Sequence, residues 1–253
     1  MLKKLFISFI GLKENLVFDF KRIFSGLILI TILTASYYLH LDNLIYFFLL
    51  IFSIYDLLKS KILPNKINFI YLTIFLLFIL FFSYLFNYIN YLFIVEFILI
   101  FLIILNKDNL RYYFFLSILI FLVIFIQIGI SDRNLFYQIF IIAFLNDTTA
   151  YVFGRVFKGP KIIPSISPNK TWSGTIFSFF ITLNILIFYD YKLFFAIFLS
   201  LSLFFGDILF SYVKRKIHLK DFSNLIQGHG GILDRIDSIF LFVIFYQFMN
   251  SIS

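Results

Sequence analysis

Between Ser211 and Ser238 the sequence reads SYVKRKIHLKDFSNLIQGHGGILDRIDS, a run of charges, glycines and one histidine in a chain otherwise dominated by Phe, Ile and Leu. A charge in or beside a bilayer costs roughly 2.5–3.5 kcal/mol on insertion scales, so such residues are functional candidates by default. Asp207, Ser211 and Lys214 are spaced i, i+4 and i+7, which puts them on one helix face. Asp234 and Asp237, spaced i and i+3, share a face at the start of the next apolar stretch. Carboxylates on two neighbouring helix ends, ringed by Lys and Arg, suit a divalent cation that in turn holds phosphates. The plain alternative is that these acids neutralise Lys214, Arg215 and Arg235 or cap a helix start. Gly228, Gly230 and Gly231 around His229 let backbone N–H groups approach an anion, with a helix N-terminus just beyond. His229 could donate to a phosphate, ligate a metal or serve as a turn residue; without a second nearby His at ligand spacing, zinc is not supported.

Two more polar segments stand out from the apolar background. One is NDTTAYVFGR, from Asn146 to Arg155, which contains Asp147 near the end of an apolar stretch. The other is SPNKTWSG, where Ser167, Pro168 and Lys170 form a short polar loop and Thr171 or Ser173 is able to cap the next helix.

Composition says what kind of scaffold carries these residues. The chain has 253 residues, 62% hydrophobic and only 13% charged, with a mean hydropathy of +1.02. Soluble domains carry roughly one quarter charged residues, so this is an all-α, polytopic integral membrane protein. The 41 Phe residues read as a bias that fills lipid-facing positions. With no Cys, disulfides, thiol catalysis and cysteine-ligated zinc are excluded. Nine stretches are long enough to span, near 23–40, 43–58, 68–87, 90–106, 112–130, 134–153, 172–189, 192–213 and 232–249. The N-terminal MLKKLFISFIGLKENLVFDFKR has no small-residue cleavage site and reads as an interfacial amphipathic helix. With a cytoplasmic N-terminus, 19 of the 21 Lys and Arg residues fall inside and only Arg133 and Lys192 outside. The net charge of +8 is then explained by topology and anionic headgroups, with no nucleic acid required.

Punctuation residues divide the chain. Seven of ten glycines lie at or beyond Gly154, and three of four prolines lie between Pro160 and Pro168. Residues 1–140 therefore read as a lipid-facing scaffold of transmembrane helices, and residues 141–253 as the transmembrane catalytic region.

The order of residues in the polar run carries a resemblance that spacing alone does not supply. Ser211, Val213, Lys214, Arg215, Lys220, Asp221, Ser223, Ile226, Gly228, His229, Gly230, Gly231, Asp234, Arg235 and Asp237 together resemble the signature of the CDP-diacylglycerol synthases, or phosphatidate cytidylyltransferases. The resemblance extends upstream to Gly206 and Asp207, to Ser167–Thr171, and to Asp147, Thr148, Ala150 and Tyr151, covering roughly the C-terminal 110 residues. It implies transfer of a cytidylyl group from CTP to phosphatidate, giving CDP-diacylglycerol and pyrophosphate. It also implies Mg²⁺, with a second cation plausible, at Asp207, Asp234 and Asp237, with Asp221 close behind. By the same carry-over Lys214, Arg215, Lys220 and Arg235 hold phosphates. Substrate binding then falls to Asp147, Ser167, Pro168, Lys170, Thr171, Ser211, His229, Gly230 and Gly231. The implied setting is the plasma (inner) membrane with the site facing the cytoplasm, where CTP is found. Two positions depart from the family pattern: Ser173 stands where a Glu is usual, and Gln227 where a Pro usually precedes the glycine turn.

Glu96 and Asp56, inside expected spans, suit pairing with Tyr, Ser or Asn across helices, or a proton path. Trp172 reads as an interface anchor, and small residues from Ala143 to Ala150 could pack helices, including in a homodimer. Two other functions remain open. A CTP-dependent kinase of a polyprenol-like lipid differs in whether the product keeps CMP, and a transporter would require paired interrupted helices, of which no repeat is visible.

Overall fold

The computed structural model describes residues 20–60, 62, 89–106, 108–225 and 230–252. Eight helices run through them: α1 Phe20–Tyr38, α2 Asp42–Lys59, α3 Ile89–Leu105, α4 Leu110–Ser131, α5 Arg133–Phe157, α6 Trp172–Phe188, α7 Leu193–Lys216 and α8 Leu233–Ile252. These answer eight of the nine expected stretches; the stretch 68–87, and the expected interfacial helix over most of its length, lie outside the described residues. Among the described residues α4, α5 and α7 are long and apolar enough to cross a membrane, and shorter apolar helices accompany them in α1, α3 and α6. The chain is accordingly a membrane protein, in which helices satisfy every backbone polar group within the segment. The 140/141 boundary drawn from composition falls inside α5.

The expectation of an all-α chain needs one correction. β1, Lys161–Ile163, pairs antiparallel with β2, Ser167–Thr171, with Lys161 opposite Thr171 and Ile163 opposite Ser167. The segment read as a plain loop is therefore a hairpin, because Pro160, Pro164 and Pro168 disfavour helix, and a two-stranded edge tolerates the missing N–H of Pro168. Thr171 ends the hairpin and caps α6, its Oγ1 accepting from Gly174 N at 3.3 Å.

Helix α4 is apolar all round, and that pattern places it at the centre. It packs against α2, α3, α5 and α8. Part of the Phe content packs inside, while others such as Phe47, Phe101, Phe188 and Phe194 are exposed: Phe114, Phe121, Phe125, Phe136, Phe210, Phe222, Phe240 and Phe242 are among the largest fully buried side chains. Their rings meet at 4.8 Å (Phe125 and Phe136), 5.1 Å (Phe114 and Phe210) and 5.1 Å (Phe121 and Phe240). Aromatic shape fills the gaps between helices, which composition alone does not reveal.

Two close helix contacts position the polar segments. α7 lies on α8 through Gly206, where a Cβ would sit 2.8 Å from the carbonyl oxygens of Asp237 and Ser238. α5 lies on α6 through Ala150, whose carbonyl faces Gly174, and through Phe153 and Phe177, stacked at 4.4 Å. The small residue Ala150 is thus used within the chain.

Candidate functional site

The face of α7 expected from spacing is present. Ser211 Oγ donates to Asp207 Oδ1 at 3.2 Å, one turn apart, and Lys214 continues the row. Close packing at Gly206 brings this row against the first turns of α8. Lys214 Nζ donates to Asp234 Oδ1 at 2.9 Å and stands 3.7 Å from Asp237 Oδ2. All three side chains are buried, and the Lys214 ammonium also lies 5.4 Å from the Phe222 ring centroid. From β2, Lys170 forms an ion pair with Asp207 and lies over the Phe204 ring.

Asp234 organises the glycine turn. Its Oδ2 accepts from Gly231 N at 2.8 Å and from Phe222 N at 3.0 Å, so both its oxygens are engaged by protein donors. Gly230 has φ +78, a conformation that favours glycine, and a Cβ there would meet the Asp234 carboxylate. Asp56, from α2, reaches the same turn: Ser223 Oγ donates to its Oδ1 at 2.6 Å and Leu233 N to its Oδ2 at 2.9 Å.

Asp147 approaches from α5. Its Oδ1 accepts from Asn146 Nδ2 at 3.4 Å, and Asn146 Oδ1 in turn accepts from Thr182 Oγ1 of α6 at 3.3 Å. Asp207 lies within electrostatic reach of both Asp147 and Asp237, and Lys170 and Arg235 face Asp147 with opposite charge. The cluster thus sets four carboxylates, Asp147, Asp207, Asp234 and Asp237, against three cations, Lys170, Lys214 and Arg235. Beside it opens a cavity of about 940 Å³ walled by α1, α2, α5 and α8. Asp147 and Arg235 line one part of it and Tyr37 and Asn134 another; the remaining wall is mostly apolar, including Ile141, Ala143 and Ile236. Asp147 and Asn134 are thirteen residues apart on α5, about 20 Å at 1.5 Å per residue.

Other residues expected at the site lie at its margin. Arg215 points elsewhere: its Nε donates to Ile166 O at 3.1 Å and Nη1 to Leu219 O at 3.0 Å, tying α7 to the hairpin. Lys220 is exposed and Asp221 half-buried beside Gly230. Ser167 and Pro168 begin β2 on the outer side of Lys170, and Thr171 serves as the α6 cap. His229 lies outside the described residues. At the departure from the family pattern, Ser173 Oγ accepts from Gly159 N at 3.2 Å and bonds Thr171 Oγ1, a role in shaping the hairpin. Glu96 does pair across helices, with Ser117 at 2.6 Å, and Asp56 pairs with a Ser as well, though one in the turn rather than in a helix. Asp56 was legible only as a buried acid; nothing in its spacing pointed to Ser223 or Leu233.

The donor set bears on the cation that the family resemblance implies. It is all carboxylate oxygen, the chemistry a hard divalent cation takes, and Asp147, Asp207 and Asp237 repel one another unless positive charge lies among them. Among the described residues no three such groups converge as a preformed cage. The residues fit an ion that also uses substrate phosphates as ligands, which is how magnesium is ordinarily held.

The class defined by fold and site is a helical membrane bundle with an acid-rich, lysine-bridged cluster beside a mostly apolar cavity. The family model described as the cytidylyltransferase family matches residues 14–252, and the chain belongs to that family. The phosphatidate cytidylyltransferase of Rickettsia conorii is 37% identical over 136 residues, 47% of this chain and 59% of the relative. That of Staphylococcus saprophyticus is 43% identical over 115 residues, 42% of this chain and 44% of the relative. The chain thus spans about half the length of the curated relatives it matches.

Proposed function

We propose that the protein transfers the cytidylyl group of CTP to phosphatidate, forming CDP-diacylglycerol and pyrophosphate for phospholipid synthesis. The observation that carries this reading is the junction of the charged cluster with the apolar cavity at Asp147 and Arg235. Phosphatidate has an anionic phosphate and apolar tails, and this junction offers a place for each. Arg235, which lines the cavity, takes the lipid phosphate with help from Lys170 beside Asp207, while Lys214 and the glycine turn take the nucleotide. An oxygen of the lipid phosphate attacks the α-phosphorus of CTP. A new P–O bond forms, the bond from the α-phosphorus to the oxygen bridging the β-phosphate breaks, and pyrophosphate departs with that electron pair.

The residues' task is alignment and neutralisation of charge more than covalent chemistry. Lys214, held between Asp234 and Asp237, is oriented before substrate arrives, so little reorganisation accompanies the transfer. When bound, magnesium supplies positive charge against the triphosphate; Asp207 and Asp237 would hold it, with Asp234 beside them, and a second cation fits the same reading. Lys220 and Arg215, at the rim, add charge that attracts the nucleotide. Nine spans with a cytoplasmic N-terminus, in the plasma membrane, place this end of the bundle where CTP is available. The distribution of 19 of 21 basic residues to one side supports that orientation. A homodimer would use helix faces other than the Ala150 contact.

The test is labelled CTP with phosphatidate in detergent, with and without chelator. Magnesium-dependent release of pyrophosphate and a lipid product that keeps CMP are expected. In a parallel arm with a polyprenol-type alcohol in place of phosphatidate, a phosphorylated lipid lacking CMP would instead establish a lipid kinase, and no lipid product in either arm would sink both.

A further inference from the structure

Asp56 lies near the C-terminal end of α2, far from the polar run in sequence, with 0% of its surface exposed. Its two oxygens hold Ser223 Oγ at 2.6 Å and Leu233 N at 2.9 Å, so one carboxylate ties both ends of the turn that joins α7 to α8. Gly231 sits so close to the same carboxylate that a Cβ there would overlap it. The residue before α8 is Ile232, which has no side-chain acceptor, so the first-turn N–H of Leu233 takes its partner from another helix. The negative charge also matches the positive end of the α8 dipole.

We propose that Asp56 is a positioning residue for the nucleotide side of the site, an inference that rests on the function proposed above. The contacts form a continuous chain. Asp56 holds Ser223 and Leu233, Asp234 holds Phe222 N and Gly231 N, and Lys214 holds Asp234. Releasing Asp56 frees the turn relative to α7 and turns Asp234 and Lys214 away from the phosphates they serve. Most of the acyl cavity's lining belongs to α1, α2 and α5, with Ile232, Arg235, Ile236 and Ile239 its share at the start of α8, so the lipid side changes less than the nucleotide side.

The test uses the full chain in detergent, comparing wild type with Asp56→Ala, Asp56→Asn, Ser223→Ala and the Asp56→Ala/Ser223→Ala double variant. Both KM values and kcat are measured per folded molecule, and amide exchange is followed at residues 230–233. Asp56→Ala is expected to raise the KM for CTP about tenfold or more, the scale of one charge-assisted hydrogen bond, with the KM for phosphatidate within twofold. Asp56→Asn, which keeps one acceptor, falls between. The double variant loses less than the two single losses combined, because both act through one contact. Exchange at Gly231 and Leu233 quickens. A KM for CTP within twofold of wild type, or an activity loss wholly accounted for by fewer folded molecules, overturns the proposal. Should Asp56→Ala not fold, Ser223→Ala must show the same CTP-selective rise, and its absence is equally decisive. If wild type makes no CDP-lipid, the proposed function fails on its own; unchanged exchange in Asp56→Ala then separately overturns the hold on the turn.

Discussion

The bundle carries a polar cluster toward each end, and they are built differently. Where α1, α2 and α5 meet, Arg133 Nε donates to Asp42 Oδ1 at 2.8 Å, Tyr137 Oη donates to the same oxygen at 2.7 Å, and Ser36 bonds Tyr137 at 3.0 Å. The Arg133 guanidinium also reaches His40 Nδ1 and the Tyr37 carbonyl, and lies 4.5 Å from the Tyr37 ring centroid. One acid meets one base, and the groups around them complete the bonding. At the other end, about 21 Å along α5 from Arg133 to Asp147, four carboxylates share three cations and repel one another. A matched pair holds helices together, whereas a buried cluster with surplus like charge is costly to keep and marks a candidate ligand site.

The contrast breaks most directly at Asp207. Asp207→Asn should lower kcat about 10³-fold, the scale of removing one preorganised electrostatic group, while Asp42→Asn leaves turnover per folded molecule within twofold. Similar losses from both, in single-turnover transfer from labelled CTP, would erase the distinction. Next in size, Lys214→Met leaves Asp234 and Asp237 facing each other without their shared cation. That should cost about 3–5 kcal/mol, read as a lower melting temperature in detergent, with part regained by adding Asp234→Asn. An unchanged melting temperature would show that Lys214 is not the bridge.

Filling the cavity tests the lipid side of the same end. Ala143→Phe should raise the KM for long-chain phosphatidate about tenfold and leave that for CTP unchanged, as overpacking of an apolar wall predicts. Equal effects on both substrates would detach the cavity from the lipid. At the matched end, Arg133→Lys keeps the charge but loses the forked geometry. Its melting temperature should fall while kcat/KM stays within twofold; a larger catalytic loss would make that cluster part of the site. The smallest effect is expected from Ser173→Ala, which removes the bond to Gly159 N and should cost about 1 kcal/mol in chemical or thermal unfolding.

Much of the site was legible one residue at a time. The Asp207, Ser211 and Lys214 row follows from helical periodicity, and the Ser211 to Asp207 bond is the local contact that periodicity implies. The pairing of Lys214 with Asp234 does not follow, because it depends on how α7 crosses α8 at Gly206. Arg215, adjacent to Lys214 and equally basic, faces the hairpin because successive helical residues point about 100° apart. The hairpin itself was not legible: three prolines forbid helix but do not say whether the chain loops or pairs. Nor was the central role of Phe, since a Phe-rich helix reads the same whether lipid or α4 covers it.

Composition and spacing alone determined that this is a membrane protein of helices, where its charges lie, and which residues share a helix face. Those are local properties, set by the solvent and by a fixed rise and turn per residue. Only the tertiary structure decided which acids face one another, that α2 sends Asp56 across 177 residues of chain to Leu233, and that the charged cluster opens on an apolar cavity. Partners in a bundle are chosen by helix crossings and close approaches such as that at Gly206, and these depend on every packed side chain at once.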